Sequence, residues 1–230
     1  MKYLRAFLYE LIPVIPLLGL PLLGWGLDDP GGFLSIYPRL GYGLVVVGLN
    51  LAGGAYQAIR APERSDLSKG EEGKRVRRQS VVLFVIALFL FGILFLLPFA
   101  DRRSIGVMMV GSVVRGLGLV LCGLGFALML WSRIALGRMY SGEITIQKGH
   151  QLITTGLYRY IRHPVYLGIL CFALGFSVLF RSWIGLAAMI PIVGGLLFRI
   201  KDEEAALHKE FGQEWEAYCK QSWRFIPYLY

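Results

Sequence analysis

The chain is dominated by apolar runs of about 20 residues, the length an α-helix needs to cross a bilayer core. This feature constrains the fold most. In lipid, backbone N–H and C=O groups must be paired internally, which leaves helices or closed barrels as spanning structures. The runs lie at 7–27, 35–59, 80–99, 105–131, 164–180 and 183–198. Each is long for a strand and lacks a two-residue alternation. The expected fold class is therefore all-α, a polytopic transmembrane bundle of about six apolar helices, followed by a C-terminal cytoplasmic amphipathic helix. Composition agrees, with 56% hydrophobic residues and a mean hydropathy of +0.58.

Pro13, Pro16 and Pro21 should kink the first run, because proline removes a backbone donor. Lys2 and Arg5 before that run resemble a signal peptide. The run is too long for one and lacks a clear cleavage site, so it reads as a retained first span. Glycines recur in the second and fourth runs, where they let helices approach closely. The third run is nearly pure Leu, Phe, Val and Ile and reads as lipid-facing. Arg115 is a charge inside the fourth run. It must either lie near the membrane edge or face a polar space.

The formal net charge of +9 needs no nucleic acid to explain it. Lys and Arg concentrate in the connections at 60–79 and 132–162 and in the tail, and no basic, aromatic-bearing soluble module is visible. Six runs put these segments on one side, which the positive-inside rule makes cytoplasmic. Arg102 and Arg103 beside Asp101 run against that assignment. Cys122, Cys171 and Cys219 are too scattered for a disulfide framework. His150, His163 and His208 have no metal-ligand spacing, and no metal is expected.

Chemistry concentrates in the last hundred residues or so. The stretch GLYRYIRHPVYLG, residues 156–168, packs Tyr158, Arg159, Tyr160, Arg162, His163 and Tyr166 around Pro164. A residue before proline is pushed out of the helical region, and proline suits the first helical position. His163 should therefore cap a helix that Pro164 opens. A helix start with arginines beside it suits an anion, and it equally suits anchoring at headgroup level. In the tail, a helical projection puts Ile200, Leu207, Phe211, Trp215 and Tyr218 on one stripe. Glu204 lies inside that stripe and Glu203 near its edge. A carboxylate there needs a partner, and Arg199, four residues before Glu203, is a natural one. The pair reads either as a structural ion pair or as a place for a cationic ligand. Gly212 is a candidate helix break.

These two motifs, GLYRYIRHPVYLG and RIKDEEAALHKEFGQEWEAYCKQSWRFIP, resemble the isoprenylcysteine carboxyl methyltransferase family and the related phospholipid methyltransferases. The likeness covers roughly residues 149–227. It implies a membrane-embedded enzyme that uses S-adenosyl-L-methionine without a Rossmann domain. With the chemistry confined to the last hundred residues, the chain divides into an N-terminal scaffold of lipid-facing helices at 1–131 and a catalytic region at 132–230. Cofactor contacts would come from Tyr158, Arg162, His163, Pro164, Tyr166, Leu167, Glu203 and Glu204. Arg199, Glu203 and Glu204 would act in catalysis. The partners implied are the lipid bilayer and a lipid or prenylated small-molecule acceptor. Phosphatidylethanolamine or a small thiol are alternative acceptors. An NADPH-dependent sterol-reductase-like enzyme and a non-catalytic membrane scaffold are the competing readings. The methyltransferase reading requires His163 and Glu204, 41 positions apart, to meet in space.

Overall fold

The computed structural model describes residues 11–64, 77–137 and 152–227. Its helices are α1 (Val14–Trp25), the short α2 (Pro30–Leu34), α3 (Tyr37–Arg64), α4 (Arg77–Arg102), α5 (Ser112–Leu136), α6 (Pro164–Leu179), α7 (Trp183–Phe211) and α8 (Gln213–Gln221). One turn of 3-10 helix, Gly156–Arg159, precedes α6. Among the described residues, extended pairing is limited to two isolated bridges. Lys2, Arg5, Arg138, Glu143, Lys148 and His150, with most of the two polar connections, lie outside the described residues.

Among the described residues, three helical stretches are long and apolar enough to cross a membrane: Val81–Arg102, Ser112–Leu136 and Trp183–Phe211. Val14–Trp25 and Pro164–Leu179 are apolar but shorter. The chain is an all-helical integral membrane protein. Its helices close a ring in which α1 packs on α4, α4 on α7, α7 on α6, α6 on α5, α5 on α3 and α3 on α1. Phe172, Phe176 and Phe180 of α6 and its C-cap run through the centre, in ring contact with one another and with Tyr42 of α3.

The most extensive packing joins α5 and α6, and glycine makes it possible. Gly118 and Gly125 of α5 face Gly175 and Gly168 of α6, so a Cβ at any of the four would strike the facing backbone. Both pairs are seven residues apart, two turns of helix. Small residues at such a spacing let two backbones touch where lipid offers no hydrophobic drive for association.

At the end where α4 finishes, Asp101 is buried among three arginines. Arg115 binds it through both terminal nitrogens, at 2.9 and 3.1 Å. Arg181 binds through Nε at 2.8 Å and Nη2 at 2.7 Å, and Arg39 approaches to 3.6 Å. This resolves the charge inside the fourth run. Arg115 sits in the first turn of α5, buried and paired with an acid from α4, so it faces a polar cluster close to the end of its helix. A short backbone bridge ties the same end, with Met108 N–H donating to Arg181 O and Trp183 N–H to Gly106 O.

Two further expectations gain detail. The third run has an exposed face and a buried one. Ile86, Ile93, Leu94 and Leu97 are buried in the core while Phe84, Leu88 and Phe91 are exposed. A run apolar on every side carries no phase from which to read the inward face. The tail likewise does not begin as a separate helix at Ile200. The last apolar run continues as α7 to Phe211, and the break falls at Gly212 with φ +49°, where glycine tolerates the left-handed region.

Gly125→Leu should cost on the order of 3 kcal/mol, read as a lowered thermal midpoint in detergent micelles. Gly116→Leu, where a Cβ meets open space, should leave that midpoint within a degree or two.

Candidate active site at the start of α6

His163 is the N-cap of α6 and Pro164 opens it, as the His-Pro sequence predicts. His163 is 4% exposed, and its carbonyl accepts from the N–H groups of Tyr166 and Leu167. Its imidazole stacks on the Tyr166 ring with centroids 5.5 Å apart. Across the hairpin, α7 brings back Arg199, Glu203 and Glu204. His163 Nε2 lies 3.3 Å from Glu204 Oε1, and its Nδ1 lies 4.0 Å from Glu203 Oε2. The residues required to meet do meet.

The roles of the two glutamates differ. Glu204 is half-buried, with 13% of its side chain exposed. It accepts from Arg162 Nε at 3.2 Å and from Arg224 Nε at 3.0 Å and Nη2 at 2.6 Å. With His163, these contacts occupy nearly all the acceptor positions a carboxylate offers. Glu203 has 30% of its side chain exposed, and its Oε2 accepts from the Tyr166 hydroxyl at 2.6 Å. That hydroxyl also accepts from Arg199 Nε at 2.7 Å. Tyr166 therefore stands between Arg199 and Glu203 and relays the contact expected between them. Arg199 itself is buried.

The tail closes the same site. Residues 160–163 and 223–224 run side by side, with Trp223 N–H donating to Tyr160 O, Arg162 N–H to Trp223 O and His163 N–H to Arg224 O. The Arg162 guanidinium also donates to Ser222 O and to Cys219 O. Tyr218 of α8 donates to Tyr158 O at 2.5 Å, which anchors the 3-10 turn through its buried residue, Tyr158. Burial pushes the Tyr218 phenol up to about 12. Leu167 is half-buried on the next turn of α6, beside Pro164 and Tyr166. Sequence reasoning missed Ser222, Trp223 and Arg224 as parts of this site. The one signal was Glu204 itself, an acid on an apolar stripe that needed more cationic support than Arg199 supplies.

A carboxylate half-open to solvent, a buried arginine and a helix start thus share one end of an all-helical membrane bundle. Residues 117–209 of this chain match the family model described as the isoprenylcysteine carboxyl methyltransferase (ICMT) family. The match takes in His163, Tyr166, Arg199, Glu203 and Glu204 and ends before the tail segment that carries Arg224. A probable protein-S-isoprenylcysteine O-methyltransferase of Oryza sativa subsp. indica is 31% identical over 115 residues, covering 49% of this chain and 60% of that protein. The chain thus spans less than two thirds of that relative. The Delta(14)-sterol reductase TM7SF2 of Mus musculus is 37% identical over 90 residues, 36% of this chain and 20% of that protein. The solved structure of a eukaryotic intramembrane Ras methyltransferase, ICMT, superposes with a TM-score of 0.54 at 20% identity, covering 93% of this chain and 73% of that one. That likeness shows the fold.

Tyr218→Phe should cost about 1 kcal/mol through the lost bond to Tyr158. A buried phenol with a raised pKa favours the folded state below the unfolded value of about 10. Stability should therefore fall as pH rises from 10 towards 12, and that fall should be smaller in the variant when unfolding is followed across the range.

Proposed function

We propose that this chain is a membrane-embedded S-adenosyl-L-methionine-dependent methyltransferase whose acceptor is a carboxylate on a lipid-like molecule of the isoprenylcysteine type. The observation that carries the reading is the meeting of His163, Tyr166, Arg199 and Glu203 at the start of α6. The family match over the same residues supports it.

The donor set fits the cofactor. Glu203, the more exposed carboxylate, suits its ammonium group. The α6 start with His163, next to Pro164 and Tyr166, suits its carboxylate. Tyr158 and Leu167 offer the apolar surface for its adenine. Bound there, the cofactor supplies a methyl group on a sulfonium, which an acceptor removes by in-line displacement. The protein's part is then to position the acceptor and keep water out. Arg162 and Glu204, assigned to cofactor contact on sequence, support the site from behind, because their polar atoms are already engaged with each other and the tail.

The same contacts favour an acceptor that is already anionic. An amine must first lose its proton to a base. Glu204, surrounded by Arg162, Arg224 and His163, is a stabilised anion and a weak base. Glu203 already accepts a hydrogen bond from the Tyr166 hydroxyl. A carboxylate needs no base, only a cation to orient it, and Arg199 is placed for that role.

In this reading residues 132–230 form the catalytic region and 1–131 the scaffold. About six apolar helices span the bilayer, α8 lies on the cytoplasmic face, and the cofactor enters from the cytoplasm. The acceptor's apolar tail enters sideways from the lipid.

The test is methyl transfer from labelled S-adenosyl-L-methionine in detergent to a prenylcysteine analogue, phosphatidylethanolamine and a small thiol. The prenylcysteine analogue should be methylated. Arg199→Met should lower kcat by about 10²-fold or more while cofactor binding persists, and Glu203→Gln should weaken cofactor binding. Methylation of phosphatidylethanolamine alone would overturn the acceptor class. Binding of NADPH in place of S-adenosyl-L-methionine would overturn the reaction.

A further inference from the structure

Arg224 lies outside the residues that match the family model, yet it touches the site at both of its ends. Its carbonyl accepts the His163 N–H at 3.1 Å. Its guanidinium grips both oxygens of Glu204, through Nε at 3.1 and 3.0 Å and Nη2 at 2.6 Å. Glu204 in turn holds His163 Nε2 at 3.3 Å. The histidine is thus fixed at two points, main chain and ring, by one residue 61 positions further on. A planar guanidinium with two donors on one carboxylate fixes that carboxylate's rotation as well as its place. Once Glu204 is fixed, the His163 ring is held against Tyr166 with its other nitrogen facing Glu203.

We infer that Arg224 is a positioning residue for cofactor binding, acting through Glu204 to set the His163 ring. The inference rests on the methyltransferase reading and adds to it a residue from the tail. Arg224 touches neither of the groups proposed to meet the cofactor's ammonium and the acceptor. Its loss should therefore appear in cofactor affinity and leave the displacement step intact. The docking of the tail does not depend on this guanidinium. The main-chain bonds between 160–163 and 223–224, and those from Arg162 to Ser222 and Cys219, remain when it is removed.

The experiment compares the native protein with Arg224→Gln and Arg224→Lys in detergent. Dissociation constants for S-adenosyl-L-methionine come from calorimetry, and kcat and KM from methyl transfer to the prenylcysteine analogue. Arg224→Gln should weaken cofactor binding about tenfold, the effect of losing one charge-assisted contact. It should change kcat at saturating cofactor by less than about twofold. Arg224→Lys, which keeps the charge but loses the fork, should recover part of the affinity. A general loss of structure would lower kcat with affinity and would not respond to lysine. Should Arg224→Gln prove unstable, Arg224→Lys alone carries the test and should bind the cofactor more weakly than the native protein with kcat kept. Native-like affinity in Arg224→Gln, or equal losses in Arg224→Gln and Arg224→Lys, would overturn the role of Arg224 alone. A native protein that binds no S-adenosyl-L-methionine would overturn the methyltransferase reading, and this inference with it.

Discussion

The rest of the structure depends on the backbone contact between α5 and α6. In a bilayer, helix surfaces gain little by leaving lipid for one another, so association rests on close fit. Gly118 and Gly125 against Gly175 and Gly168 supply that fit over two turns. With those four positions in contact, the start of α6 is held against the last turns of α5, and the hairpin after Phe180 sends α7 back along α6. The 3.3 Å approach of His163 to Glu204 follows from that geometry. Neither residue has any local reason to meet the other.

At the other edge of the site, the tail answers a backbone problem. The segment before α6 is irregular, and irregular backbone near a membrane must find partners for its polar groups. Tyr160, Arg162 and His163 find them in Trp223 and Arg224. The Arg162 side chain holds that joint, binding Ser222, Cys219 and Glu204 together.

Much of the architecture was legible in the sequence because it rests on local signals. Apolar runs mark helices, His-Pro marks a helix start, and Gly212 marks a break. Within α7 the projected stripe holds, with Ile200 buried and Leu207 and Phe211 half-buried, while the break at Gly212 puts the buried Trp215 and Tyr218 on a helix of their own. Three things were not legible, each for want of a local signal. The inward face of the third run was hidden because leucine and phenylalanine surround the whole helix. The partner of Arg115 was hidden because Asp101 belongs to another helix and sits in what reads as a solvent turn. The relay through Tyr166 was hidden because Arg199 and Glu203 are neighbours in sequence, and the residue between them comes from 33 positions earlier.

The Asp101 cluster has a consequence for how this protein tolerates change. Arg39, Arg115 and Arg181 come from three separate segments and converge on one acid. Such a joint is redundant in its cations and singular in its anion. If one arginine is lost, Asp101 still has two counter-ions. If Asp101 is lost, three like charges face one another in a space largely closed to water, where such repulsion is least screened. The cost of change at this end of the bundle is therefore lopsided: losing any one arginine leaves the acid paired, and losing the aspartate leaves all three cations unpaired by it.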